Sequence, residues 1–507
     1  MLPSLAELAP ALAHLASHVD LATVLAAVFG SATALYIRRV LEWRARSRGR
    51  PLPPGPRGLP FVGNMFDMPK VRPWVGLREM CAQYGDIMHF SVMGQRTIVL
   101  NSPEAISEFL EKRAANTSDR LVTPMVRLTA NEWVFGLMPY GQSWRDHRRA
   151  FWQHFNPNAI SIYQPTQAFT FAATMLKIIY GIECDDEDNE IMRVVEESLQ
   201  GTAQLFVPGK YLVDLIPALE YVPSWFPGAG WRETSIQSVE MPYAQRIPSA
   251  ERSDEKSIVD SMIEKFGRRS DKSGVDKDVE AVIKQTCAVS LGAGTDTTFS
   301  TMQATFLAMS LYPNVMKAAQ AELDAVVGPS RLPTFDDRDA CVYVNAIIKE
   351  SLRWFNVTPL GISHRTSADD EISGFFIPKG TVLISSIWSC MHDPEVYENP
   401  EEFRPERFIR DGRLDPDVRD PFDFAFGFGR RGHGGRICPG RYFADAALFL
   451  NIATVLHLFD IGVPLDDAGE PIPMEVRLSD SFAAYPEEFR CTVKPRSAEA
   501  VSLILAE

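Results

Sequence analysis

The stretch from Asp276 to Leu311 reads as one helix, uninterrupted until Pro313, and at about 1.5 Å of rise per residue it is long enough to cross a whole folded body. A chain with such an element must build its core around it. VYVNAIIKESLRWF (342–355) and RYFADAALFLNIATVLHLF (441–459) carry the same apolar periodicity, so the fold is expected to be mainly α. A minor β part is expected from DIMHFSV and RTIVLN, paired around MGQ. Ser102 and Pro103 follow as an N-cap and a first-turn proline.

GAGTDTT (Gly292 to Thr298) stands in the middle of the long helix. A helix-interior glycine costs roughly 1 kcal/mol against alanine, so something flat or bulky is expected to approach that backbone closely. Threonine hydroxyls compete for backbone carbonyls and bend a helix, which opens a small polar notch. Asp296 and Thr297 then read as a proton relay in an otherwise apolar wall. The plainer alternative is a kinked structural helix with exposed Thr and Asp.

Three further constellations carry chemistry. Glu350 and Arg353 are spaced i, i+3 on one helical face, and Arg407 in FRPERF could join them in a buried network; taken singly the pair is an ordinary surface ion pair. Trp144 and Arg148 are spaced i, i+4, a donor and a cation facing the same way, which suits an anionic group. Their plainer alternative is an amphipathic helix with a basic face. Cys438 precedes Pro439, Gly440 and a helix, where free N–H groups and the positive dipole end favour a thiolate among several arginines. A lone cysteine is otherwise a small buried apolar residue.

Bulk properties exclude several classes. At 507 residues the chain could hold two or three domains or one large helical core. An apolar fraction of 46% and a charged fraction of 23% exclude general disorder. The net charge of -14 argues against a dedicated nucleic-acid binder. Seven cysteines without a C-x-x-C pair point to neither a disulfide framework nor a zinc site, but to reduced thiols facing the cytosol.

The first 37 residues contain no Lys or Arg, and residues 21–37 form an apolar run at the short end for a membrane span. Arg38, Arg39, Arg44, Arg46, Arg48 and Arg50 follow, and the positive-inside rule keeps that flank cytoplasmic. A cleaved signal peptide would carry its charge before the run. PLPPGPRGLP (51–60) reads as a stiff spacer. The expected organisation is a short N-terminus (1–20) across the membrane, a transmembrane anchor (21–37), a basic and proline-rich hinge (38–60) and a body (61–507).

Taken together these residues resemble the cytochrome P450 superfamily of heme-thiolate monooxygenases, in particular its membrane-bound fungal members. The matches come in the family's order: the PPGP hinge, W-x-x-x-R, A-G-x-D-T-T, E-x-x-R, PERF and G-x-R-x-C-P-G. TPLGISHRTSADDEISGFFIPKGT and VKPRS look like the secondary-metabolism and xenobiotic branch. The resemblance implies a cytochrome P450 fold preceded by a single transmembrane helix, with 61–507 as a cytosolic catalytic domain on the endoplasmic reticulum and 1–20 in the lumen. It implies heme b with Cys438 as the axial thiolate of its iron. Trp144, Arg148, His364 and Arg436 would hold the propionates, and Asp296 and Thr297 would deliver protons to dioxygen. Glu350, Arg353 and Arg407 would brace the fold. Implied partners are NADPH-cytochrome P450 reductase, with cytochrome b5 as an optional second donor, an apolar small-molecule substrate and the membrane. Val134, Phe135, the Ala288–Ala293 face, Val357 to Ile362 and Phe482 to Ala484 match pocket-lining regions.

Two departures stand out. The family pattern F-x-x-G-x-R-x-C-x-G is split by GHGGR (432–436), so that counting from Phe426 puts His433 in the cysteine's place and leaves Arg431 and Arg436 as rival propionate partners. Cys438 is preferred because the ligand must sit at the start of its helix, while an upstream insertion can bulge outward. Imidazole is also a competent heme ligand. The second departure lies between FWQHFNP and FAATMLKIIYGIE, where the family has room for one more helix. These departures keep open a heme-binding but catalytically defective protein, and a heme-thiolate isomerase or dehydratase is the other rival, which Asp296 and Thr297 disfavour.

Overall fold

The computed structural model describes residues 21–160, 163, 171–180, 211–223, 225–226, 257–267, 277–429, 436–466, 468–480 and 483–506. Residues 1–20, His433, Phe482 and most of the segment expected to be short of a helix lie outside them. The chain divides into two compact units, one of residues 1–53 with 369–378 and one of residues 54–368 with 379–507.

In the first unit a helix runs over Leu21–Ser47, continuous through the expected anchor and the first four arginines of its flank. Its C-terminal end rests on the hairpin of Asp370–Ile372 and Phe375–Ile377. Arg46 binds Asp369 in a two-pronged pair of 2.8 and 2.6 Å, and Trp43 meets the Phe376 ring edge-on at 5.1 Å. Among the described residues no helix is long and apolar enough to cross a membrane. The side chains of 21–25 and several others of the apolar run lie outside them.

In the second unit the expected strand pair is β1 (Ile87–Val92) and β2 (Gln95–Leu100), antiparallel about a Met93–Gly94 turn. Ser102 caps the helix after them, its Oγ accepting from the Ala105 N–H at 3.2 Å. PLPPGPRGLP is not a free spacer at its middle. Pro54 O accepts the His89 N–H of β1 at 2.8 Å, and Gly55 packs so close that a Cβ there would sit 1.7 Å from His89 O. Only a residue without a side chain passes at that point.

Five helices position the site: α1 (Gln142–Phe155), α2 (Phe171–Tyr180), α3 (Lys277–Leu311), α4 (Val342–Trp354) and α5 (Arg441–Leu458). α3 is the expected long helix, and it spans about 50 Å at 1.5 Å per residue. Asp278 and Glu280 in its first turn suit the positive end of its dipole. Pro313, which ends it, opens the next helix. It packs against α1, α2, α4 and α5, burying Ile283, Cys287 and Leu291 in its first half and Ala304, Leu307 and Ala308 in its second. Such a helix is apolar on more than one side because it lies within the core. Two strands, β3 (His364–Arg365) and β4 (Val382–Ser385), complete a four-stranded sheet in the order β1-β2-β4-β3, with β4 parallel to β2.

The expected buried network forms on α4. Glu350 and Arg353 are both fully buried and paired at 2.6 Å, and Arg407 Nε reaches Glu350 Oε1 at 3.2 Å. The Arg353 guanidinium also donates to Met391 O at 3.1 Å, Pro400 O at 2.8 Å and Glu402 O at 3.1 Å, and lies 5.2 Å from the centre of the Tyr397 ring. Glu350 additionally accepts the Arg404 N–H at 2.8 Å. The network therefore ties α4 to 391–407, which leads toward the cysteine loop.

Candidate functional site

α1 carries a stripe of Trp144, Arg148, Phe151 and Phe155 at helical spacing, all buried. α3 runs above the start of α5, and between them lies a cavity of about 290 Å³ lined by Trp144, Arg148, Phe151, Ala293, Thr297, His364, Arg436 and Cys438. Six of the seven candidate residues thus meet in one place. The seventh, Asp296, does not line the cavity; its carboxylate hydrogen-bonds the Tyr485 hydroxyl.

Cys438 sits two residues before Gly440, the N-cap of α5. Its sulfur accepts from the Gly440 and Arg441 amides and lies near the guanidinium groups of Arg148 and Arg441. A position at a helix start among arginines predicts an acidified thiol, but burial outweighs those amides and arginines and pushes the thiol above its ordinary value. Helix dipole and cations both act here; desolvation is larger. A metal ion bound at the sulfur would reverse that balance, since a coordinated thiol is deprotonated outright.

The loop carrying Cys438 is closed at its base despite the insertion. The Cys438 N–H donates to Phe426 O at 2.8 Å, and Gly429, at φ 118°, lies so near Arg436 that a Cβ there would come within 3.2 Å of its amide nitrogen. The residues flanking 430–435 are therefore neighbours, and Arg431 and His433 belong to that stretch outside the described residues.

One edge of the cavity is cationic. Arg436 donates to Ser118 O at 2.8 Å and Met138 O at 2.7 Å, and its guanidinium lies 4.5 Å from the Trp144 ring centre. Arg148 donates to Ile437 O at 2.6 Å. Arg120, which belongs to no motif and was not singled out from the sequence, donates to Ile362 O and Ser363 O from a loop position. Burial pushes Arg148 and Arg436 down to about 10 and Arg120 well below its ordinary value, and each keeps one buried nitrogen without a partner: Arg120 Nε, Arg148 Nε and Arg436 Nη1. Asp119 offsets part of this charge. Buried cations with spare donors require an anion, so this edge fits a ligand with carboxylates. His364, whose Nδ1 bonds Thr117 O at 2.9 Å, is held neutral by burial beside Arg120.

The opposite wall is the notch of α3. Thr297 Oγ1 donates to Ala293 O at 2.7 Å, Thr301 Oγ1 to Thr297 O at 3.1 Å and Thr305 Oγ1 to Thr301 O at 2.9 Å, a ladder of i−4 back-bonds of the kind that bends helices. Gly294 lines the cavity and is closely approached on another side, where a Cβ would meet Met175 Cε of α2 at 2.5 Å. Of the pocket-lining regions expected, Phe135, Val289, Ser290, Val357 and Ile362 do line the cavity. Val134 packs instead with Met125, Val126 and Leu137, and Ala484 is buried in the main core.

A cysteine sulfur and a threonine hydroxyl on the walls of one apolar cavity, with cations at one edge, is an arrangement that comparison with known proteins extends. The family model described as Cytochrome P450 matches residues 53–170 and 157–486, two stretches that overlap at 157–170. The chain is 39% identical to cytochrome P450 monooxygenase COX2 of Coprinopsis cinerea over 90% of this chain and 92% of that one. It is 37% identical to cytochrome P450 monooxygenase COX1 of the same organism, over 95% and 98%. Against tryptamine 4-monooxygenase of Psilocybe cyanescens the identity is 36%, over 90% and 96%.

Proposed function

This chain belongs to the cytochrome P450 family, monooxygenases with a cysteine-ligated heme that oxidise small molecules with electrons from a redox partner, and from that premise we propose that it uses NADPH and dioxygen to oxidise an apolar secondary metabolite or xenobiotic. The observation that carries this reading is the shared cavity of Cys438 and Thr297, with three buried, under-bonded guanidinium groups at its edge. The residues fit the cofactor. Cys438 would ligate its iron through the thiolate, and Arg120, Arg148, Arg436, Trp144 and His364 would hold its carboxylates. When bound, the heme supplies the redox chemistry that activates dioxygen. Phe135, Val289 and Val357 keep water from the reacting end, and Thr297 holds a proton at Oγ1 on the cavity wall once it releases Ala293 O. The reading is tested by incubating the purified protein with NADPH, its reductase and labelled dioxygen alongside candidate terpenoid, aromatic and fatty-acid substrates. One labelled oxygen atom in a product supports it.

Thr297→Ala is expected to leave heme content intact while product per NADPH falls by about an order of magnitude and peroxide rises, because a proton-transfer group is lost and no packing contact. NADPH, peroxide and product measured together check this. Loss of heme instead would make the threonine structural.

The electron donor in this reading is NADPH-cytochrome P450 reductase, supplemented by cytochrome b5, and the location is the endoplasmic reticulum membrane with a single-pass anchor at 21–37. What supports the anchor is the uncharged run before six arginines. Deleting residues 1–50 is expected to move the protein from the membrane pellet to the soluble fraction with heme retained. The deletion removes the Arg46–Asp369 and Arg50–Glu371 ion pairs, both partly exposed, and such pairs are worth about 0–1 kcal/mol each. A truncated protein still wholly in the pellet would show that attachment lies elsewhere.

A further inference from the structure

The turn closed by the Leu478–Pro486 bridge is clamped from two sides at Ala484. Ser300 Oγ of α3 donates to Ala484 O at 2.9 Å, and the Ala484 N–H donates to Val357 O at 2.8 Å. Tyr485, the next residue, is fixed in turn: its N–H donates to Ser479 Oγ at 2.9 Å and its carbonyl accepts the Ser479 N–H at 2.9 Å. Asp296 lies four residues before Ser300, hence one turn earlier on the same face of α3. The Tyr485 hydroxyl, largely buried, hydrogen-bonds that carboxylate. Thr297 faces the cavity instead. The acid and the alcohol of the relay thus look to different sides of the helix, and the acid is held by a residue from a distant turn.

We propose that Tyr485 is a positioning residue of the proton relay: its hydroxyl donates to the Asp296 carboxylate and keeps it on the outer side of α3, beside Thr297 but out of the cavity. A hydrogen bond to an ionised group is among the stronger ones, and it fixes both charge and direction. Burial and the neighbouring Asp296 push the phenol well above its ordinary value, so it remains a donor. Without the bond, the carboxylate is free to turn toward the cavity and carry water with it, and protons then arrive without regard to the substrate. The clamp at Ala484 gives the phenol a backbone that does not follow the carboxylate when it moves.

This inference rests on the monooxygenase reading, and the experiment separates the two. Tyr485→Phe, Asp296→Asn and the double variant are purified as full-length ferric holoproteins, and their melting temperatures and reduced carbon-monoxide spectra are recorded. Peroxide released per NADPH is then measured with purified reductase and no added substrate. If the wild type lacks a thiolate-type spectrum, the monooxygenase reading itself fails. With that spectrum present, the expected result is that all variants keep it, that Tyr485→Phe raises peroxide per NADPH severalfold, and that the double variant matches Asp296→Asn both in peroxide and in melting temperature. Additive losses in melting temperature would overturn the proposal, because the two groups would then not be partners. So would a coupled pair of melting temperatures with wild-type peroxide release in Tyr485→Phe, which would leave only a structural bond.

Discussion

Glu350→Ala is expected to yield no folded, heme-loaded protein. Glu350 is fully buried, as is Arg353, and Arg407 is nearly so. Removing the carboxylate leaves two guanidinium groups in the interior with backbone carbonyls as their remaining partners. Breaking a buried ion pair from one side costs about 3–5 kcal/mol, and here one carboxylate serves two cations. The whole stability of a folded protein is about 5–15 kcal/mol, so the loss consumes much of it. Glu350→Gln is the informative companion, since the amide oxygen still accepts while the charge and one acceptor are gone; an intermediate loss is expected. Arg353→Lys keeps the charge but replaces a planar fork, which now serves both Glu350 oxygens and three carbonyls, by a point donor. Soluble yield, melting by circular dichroism and heme-to-protein ratio report the outcome. A Glu350→Ala protein with wild-type melting and heme content would show that the network contributes geometry without stability.

What the sequence made legible is local. The long helix ends where Pro313 says it must, the strands turn at Met93–Gly94, and Ser102 caps its helix as its residue type implies. Each signal lies within a few residues of the structure it specifies. The E-x-x-R pair is visible for the same reason, whereas its third member, Arg407, is only suggested, because nothing in a helical period names a partner 57 positions away. The cationic edge is half legible: Arg148 shares a helix with Trp144, but Arg436 reaches Ser118 across 318 positions and Arg120 reaches Ile362 across 242. Arg120 has no motif to mark it. Its meaning lies in its burial, and burial depends on the packing of the whole unit. Tyr485 is invisible on the same grounds. The thiol of Cys438 departs in direction from the sequence expectation for a related reason: dipole and neighbouring arginines can be read from sequence, while desolvation, the larger cause, is set by tertiary packing.

Cys438→Ala is expected to abolish the long-wavelength band of the reduced, carbon-monoxide-bound protein completely, and His433→Ala to leave it unchanged. The argument is about which residue the fold pins in place. Cys438 is held by its own N–H on Phe426 O at 2.8 Å, its sulfur receives the Gly440 and Arg441 amides, and it faces the same cavity as Thr297. Amide donors to a ligating sulfur tune its donor strength, so this position is prepared for ligation as well as reached by it. The insertion does not undo that preparation, because Gly429 and Arg436, on either side of 430–435, already meet. The closure that aims the sulfur is thus made by described residues on either side of that stretch. Arg436 stacks on Trp144 two residues before the cysteine, which ties the cysteine's own loop to the cationic edge. Removing the thiol takes away the charged ligand and leaves the carboxylate partners, so the variant should retain at most loosely held heme with a spectrum lacking the thiolate band. Absorbance of the reduced carbon-monoxide adduct and heme per protein, measured for both variants, decide the matter. A band that survives in Cys438→Ala and disappears in His433→Ala would move the iron's ligand into the insertion and overturn the assignment.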